Sequence, residues 1–306
     1  MRPQRAAAYL IVDGDSAAFV DNNTANAVPR LIETLESCGR TPEHVAYAIV
    51  THVHLDHAGG TAALLKACPN AIALAHPRAV RHLTDPARLV ESARQVYGEA
   101  LFRRLYGSVE PVPQPRVRAV EDGERVPFGG RSLFFMHTSG HARHHISMYD
   151  PATDSVFTGD TFGVGSKELQ RGTKPFLLCS TAPTEFEPEK ARESAHRIAA
   201  TGATRAYLTH FGEIENVAAA SVSLLESINA MECVLTEATS SPLEGNALAA
   251  FCEERVKQAV HDALRGCGIA MTPDDEEWLA GDIRINALGL AYCAARLRSP
   301  KNPSPA

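Results

Sequence analysis

The sequence predicts an α/β fold followed by an all-helical C-terminal extension. Short apolar, β-like runs alternate with helical patterns up to about residue 83, strand patterns return from Val117 onward, and beyond His210 the chain becomes alanine-rich with helical spacing throughout. A chain of 306 residues can bury a sizeable core, and its length suits one large domain or one domain with an appendage.

Taken in order, the runs 7–12 and 16–21 read as two strands joined by Asp13-Gly14-Asp15, a hairpin signal. Residues 27–38 carry apolar side chains at helical spacing and stop at Gly39, which predicts the first helix. The apolar run 45–50 is a strand, 61–68 a helix, 71–75 a strand and 77–83 a short helix. Residues 86–107 contain Leu89, Val90, Ala93, Val96, Tyr97, Leu101 and Leu105, an amphipathic insertion. It either covers the edge of the sheet, the preferred reading, or walls a pocket. Residues 111–115, with three prolines, form an extended connector. The runs 133–136, 155–157 and 206–208 are strands, and 214–238, 243–267 and 283–297 are helices. The expected division is therefore a domain over 1–215 with its insertion at about 86–107, a helical extension over 216–299 and a frayed tail over 300–306.

Directly after the strand 45–50 comes Thr51-His52-Val53-His54-Leu55-Asp56-His57-Ala58-Gly59-Gly60. Side chains on a strand alternate, so His52 and His54 point the same way and can share one metal ion. Asp56 and His57 fall in a turn beyond it, where the alternation is lost and both can swing toward a second ion. Gly59 and Gly60 let the backbone pass close by. A lone histidine is usually a surface or core residue; four donors behind one strand are not explained that way. The helical H-E-x-x-H zinc motif uses a different spacing and is absent here.

These residues resemble the H-x-H-x-D-H signature of the metallo-β-lactamase-fold hydrolase superfamily, matched by His52, His54, Asp56 and His57. Three later strand ends extend the resemblance in the family's order. His137-Thr138-Ser139-Gly140-His141 is similar to its H-T-P-G-H, Thr158-Gly159-Asp160 to its F-x-G-D, and Thr209-His210-Phe211-Gly212 to its last motif. The resemblance covers about residues 7–215. It implies a four-layer αββα sandwich, with His141, Asp160 and His210 completing a metal set in which Asp160 bridges both ions. Asp160 stands where the true β-lactamases carry cysteine, and His54 where flavodiiron relatives carry glutamate. Both departures point away from those branches and leave a glyoxalase II-like or lactonase-like one, with the subfamily open.

Two divalent ions, zinc as the first choice with iron or manganese also suited to these donors, would leave room for a bridging hydroxide. The expected reaction is attack of that hydroxide on a small-molecule carboxylic ester, lactone or thioester, with Asp56 able to ferry a proton. No nucleophilic serine or cysteine constellation is visible. Two other classes remain open: an oxidoreductase similar to the mono-iron persulfide dioxygenases, and a signalling or ligand-binding protein that retains the metal site. The loop after Asp160 is expected to set specificity. Phe162 and Phe176 would line an apolar pocket, and Arg171 or Lys174 would pair with a substrate anion. His145 is expected to support His141 from behind; His137 and His76 read as ordinary strand-end residues.

A net charge of −6 and the absence of a long basic run argue against nucleic acid as a partner. Residues 1–12 are too short and too soon interrupted by Asp13 for a signal peptide or membrane span, so a cytoplasmic protein with no membrane partner is expected. Seven scattered cysteines without C-x-x-C pairs read as reduced thiols. The helical regions offer a possible homodimer surface.

Overall fold

The computed structural model describes residues 6–182, 184–210 and 212–299. The readings of the first five residues and of the 300–306 tail lie outside them, as do the side chains of Val96 and Tyr97. Among the described residues the chain forms two compact units: one takes residues 6–137 together with His144–Gly159 and Ala203–Glu213, the other Thr138–Arg143, Asp160–Gly202 and residues 214–299. Two expected ligands, His141 and Asp160, belong to the second unit.

The first unit holds two sheets. Strands β1 (Tyr9–Asp13), β2 (Ser16–Val20), β3 (Val45–Ile49), β4 (Ile72–Ala75) and β5 (Val117–Ala119) lie in sequence order in one. β1 and β2 form the expected hairpin with Asp13 opposite Ser16, and Gly14 takes φ +54 in its turn; the later pairings are parallel. The other sheet runs β11-β10-β9-β8-β7-β6, formed from β6 (Arg125–Phe128), β7 (Arg131–His137), β8 (Ile146–Asp150), β9 (Ser155–Gly159), β10 (Arg205–Leu208) and β11 (Gly212–Glu215), the last leading out of the unit.

Alternation along the strands sorts the core into layers. Ala18, Val20, Ile49 and Leu74 of the first sheet join Leu133, Phe135, Ile146, Met148 and Phe157 of the second in one apolar cluster. Their neighbours Ala17, Phe19, Ala48, Ala73 and Ala75 face the opposite way. There they meet Val28, Leu31 and Leu35 of α1 (Val28–Ser37), Leu64 and Leu65 of α3 (Thr61–Ala67) and Leu83 of α4 (Pro77–Thr84). Helix α1 has Pro29 in its first turn and gives way to Gly39 at φ +71, as its breaker residues require. Each fully buried leucine or phenylalanine here contributes roughly 1.5–3 kcal/mol.

The insertion is two helices, α5 (Ala87–Tyr97) and α6 (Glu99–Tyr106), broken where Gly98 adopts φ +72. Phe102 and Tyr106 pack with Leu55, the residue between His54 and Asp56. The insertion therefore braces the histidine segment from behind, a role its amphipathic pattern alone could not assign.

The second unit contains α7 (Pro188–Ala199), α8 (Val217–Ser240), α9 (Gly245–Gly266) and α10 (Pro273–Arg298), with α8 packed against the other three. By length and composition α8 could cross a membrane, but half of its apolar window is buried among those helices. Helix α10 begins ten residues before the expected start at residue 283. Its first turn, Pro273-Asp274-Asp275-Glu276, has no apolar period, yet Thr272 and Asp275 form a capping box whose sequence signature was legible.

Candidate metal centre

The first unit gathers His52, His54, Asp56, His57 and His210. β3 ends at Ile49; His52 and His54 lie on the extended segment after it, and His54 caps the short helix α2 (Leu55–Ala58). Asp56 and His57 thus sit in the expected turn, which takes the form of a regular helical turn. One turn of helix sends consecutive side chains about 100° apart, so the carboxylate and the imidazole diverge without strain.

The strain lies instead on the facing loop. Asp21 and Asn23 adopt φ +55 and φ +54, a region that Asp and Asn tolerate through local hydrogen bonds. This loop is held tightly: Asn22 N–H donates to His57 O at 2.7 Å and Gly60 N–H to Asn23 O at 2.9 Å. A β-carbon at Gly60 would stand 2.6 Å from Asn22 O and 2.9 Å from Thr24 O. Close approach of backbones is thus the reason for glycine at this position.

Asp21 was missed as a functional residue by sequence reasoning, although an Asp-Asn-Asn run ending a strand was a visible turn signal. Its carboxylate is buried and accepts from Thr51 N–H at 2.9 Å, Thr51 Oγ1 at 2.9 Å and Thr209 Oγ1 at 2.8 Å. It also meets His57 Nδ1 at 2.8 Å. A carboxylate only accepts, so Nδ1 of His57 carries the proton and Nε2 keeps its lone pair. Thr51 gives its one proton to Asp21, so at 3.1 Å it accepts from Nδ1 of His52, and Nε2 of His52 is likewise left as a donor to metal. His145, fully buried, stacks on the His52 ring with centroids 5.0 Å apart, and β9 closes against it because Gly159 at φ +52 has no side chain. His144 lies edge-on to His54 at 6.0 Å. His76 caps α4 by accepting from Arg78 N–H at 3.0 Å, and His137 donates from Nε2 to Val120 O at 2.9 Å; burial, with His137 beside it, pushes His76 down to about 4.

Asp56 Oδ2 lies 3.4 Å from His210 Nε2 and 3.8 Å from His57 Nε2. Donors about 2.1 Å from one tetrahedral zinc are separated by about 3.4 Å, so this trio fits an ion with little adjustment. Nε2 of His52 and Nδ1 of His54 stand 2.8 Å apart, and sharing an ion requires them to part by about half an ångström. In the second unit, His141 Nε2 and Asp160 Oδ2 are 3.6 Å apart, both nearly buried. His141 Nδ1 donates to Ser180 O at 3.3 Å, which again leaves Nε2 for metal. Its loop is fixed by Gly140, where a β-carbon would strike the backbone of Ala191 at 2.4 Å, and by Ser194 Oγ, which donates to Ser139 O at 2.6 Å. The donor set, imidazoles with assigned tautomers and carboxylates, suits a borderline divalent ion.

These motifs are matched as a whole by residues 1–224, which fit the sequence pattern of the Metallo-beta-lactamase superfamily. The chain belongs to that superfamily. It is 33% identical over 172 residues to a hydroxyacylglutathione hydrolase of Pseudomonas aeruginosa, covering 55% of this chain and 48% of that one. It is 29% identical over 167 residues to a metallo-beta-lactamase fold-containing protein of Sulfurisphaera tokodaii, covering 53% and 58%. The chain thus spans about half the length of these curated relatives. Among solved structures, an archaeal superfamily protein from Sulfolobus tokodaii aligns with a TM-score of 0.59 at 23% identity over 87% of this chain and 93% of its own. A family protein from Thermus thermophilus aligns at 0.60 and 20% identity over 96% and 89%. Both likenesses place this superfamily member in the metallo-β-lactamase fold class.

The residues expected to recognise substrate have other partners in this fold. Arg171 forms a two-pronged pair with Asp275, at 2.6 and 3.1 Å, and donates to Ala270 O and Glu168 O. Lys174 pairs with Glu226 at 2.7 Å. Phe162 and Phe176 are core residues of the second unit, 0% and 1% exposed. The composition of the loop was legible, but not that α8 and α10 would supply acids to satisfy its cations.

Proposed function

We propose that this superfamily member is a metal-dependent hydrolase of small-molecule carboxylic thioesters, esters or lactones, with a thioester as the first substrate class to examine. The observation that carries the reading is the Asp56–His57–His210 trio, with His57 fixed in its metal-binding tautomer by Asp21. The hydroxyacylglutathione hydrolases among its relatives favour a thioester. We assign Asp56, His57 and His210 to one ion, and His52 and His54 would hold another; zinc is the proposed metal.

Two such ions, when bound, supply hydroxide near neutral pH and a Lewis acid for the carbonyl. The protein's own part is protonic and positional. Asp56 is 36% exposed whereas His57 beside it is fully buried, so Asp56 is the carboxylate that reaches the open side. It takes the proton of the attacking water and delivers it to the departing thiolate or alkoxide.

The test is a panel of acyl thioesters, lactones and aryl esters offered to protein reconstituted separately with zinc, iron and manganese. Hydrolysis of at least one class, reduced by roughly 10²–10⁴ in Asp56→Ala, is expected. No hydrolysis with any metal, together with oxygen consumption on a persulfide by the iron form, would transfer the protein to the oxidoreductase class.

A further inference from the structure

We infer that α10 pairs antiparallel with α10 of a second copy of this chain, across a two-fold axis beside Leu288. One face of α10 is committed to its own unit: Ile283, Asn286, Ala287, Leu290, Cys293 and Ala294 are buried. The opposite face carries Ile285, Leu288 and Tyr292, at i, i+3 and i+7, and each remains 51–53% exposed. An aliphatic pair and a tyrosine exposed on one stripe form the kind of surface that another protein covers.

What covers it follows from the pattern around Leu288. Seven residues before it stands Gly281 and seven residues after it Ala295, both exposed and, at two helical turns, on the same stripe. In an antiparallel two-fold pair, a residue n places before the centre faces the residue n places after it on the partner. Gly281 then meets Ala295, small against small, and the helices can approach to about 8 Å. Ile285, three places before the centre, and Tyr292, four after it, come within one residue of each other, and Leu288 meets its own copy. On the flank of the stripe, Asp282, six places before the centre, and Arg296, eight after it, are offset by about 3 Å along the axis, within reach of a long arginine side chain, so opposite charges approach each other twice. The two helix dipoles oppose in this arrangement. Arg298 is already held by Thr239 O and Leu243 O, so Arg296 is the arginine that makes the cross-contact. A stripe that complements itself on reversal, in size and in charge, specifies a copy of this chain as its occupant.

The test is sedimentation equilibrium of the full chain, with Trp278, the single tryptophan and a neighbour of Arg296 of the partner subunit in this pairing, as a fluorescence probe of the same equilibrium. The wild type is expected to dimerise and to shift Trp278 emission on dilution. Leu288→Glu should be monomeric with a wild-type circular dichroism spectrum, and Arg296→Glu should weaken the dimer by roughly tenfold or more. Combining Asp282→Arg with Arg296→Glu should restore association, a result that a misfolded variant cannot give. A wild type that is monomeric at all concentrations, a dimer indifferent to Leu288→Glu, or a charge swap that fails to rescue would each overturn the pairing. So would binding of the wild-type monomer to phosphatidylcholine vesicles that Leu288→Glu abolishes, since the stripe would then belong to a lipid surface.

Discussion

The carboxylate of Asp21 meets Nδ1 of His57 at 2.8 Å with both side chains sealed from solvent. The same carboxylate holds Thr51 and, through it, His52, so one residue sets the tautomer of two imidazoles of the candidate metal centre. Replacing Asp21 with asparagine keeps the left-handed backbone accessible but turns half of the acceptor into a donor, facing other donors. Metal affinity, measured by competition with a chromophoric chelator, should fall by about 10–100-fold. An unchanged affinity would show that the two imidazoles find their tautomers without Asp21.

Gly60 offers a purely steric prediction. Its absent β-carbon would press on the carbonyl oxygens of Asn22 and Thr24, which are backbone atoms and cannot swing away. Gly60→Ala should cost about 1–3 kcal/mol in urea denaturation, above the small gain from the lower entropy of the unfolded chain. Equal or greater stability in the variant would mean that the 22–24 loop is free to move.

Arg171 separates structural from substrate-binding roles. The guanidinium holds the carboxyl of Asp275 down to about 2 and ties the loop after Asp160 to the cap of α10. Arg171→Ala should lower the melting temperature by a few degrees, and any change in KM should be the same on anionic and neutral substrates. A selective rise of KM on the anionic substrate alone would return Arg171 to the substrate pocket.

His76 makes stability pH-dependent. Its folded pKa lies near 4, below the ordinary 6.5, so the unfolded chain binds the proton more readily. The neutral ring contributes fully above pH 6.5, and that contribution is lost as pH falls from 6.5 through 4, by up to about 3 kcal/mol. His76→Asn retains an acceptor for Arg78 N–H and should flatten this limb of the stability profile in chemical denaturation at pH values from about 7 down to about 4. An identical slope in both proteins would place the acid sensitivity elsewhere.

The strands were legible in the chain alone, because 16–20 and 45–49 are short apolar runs bounded by turn residues, a pattern that a buried strand produces. So were the ligand candidates, since donors crowded at strand ends have few other uses. The first turns of α10 were not, because their acidic residues carry no apolar period, nor was the break of the insertion at Gly98, because a helical pattern persists across one glycine. The supporting roles came from the folded arrangement and from nothing else. Asp21 reaches Thr51, 30 positions away, and Thr209, 188 positions away; Leu55 is braced by Phe102; and Arg171 finds Asp275 across 104 positions. Local spacing fixes which way a side chain leaves the backbone, whereas the identity of its partner depends on which distant segments the core brings alongside, and no periodicity records that.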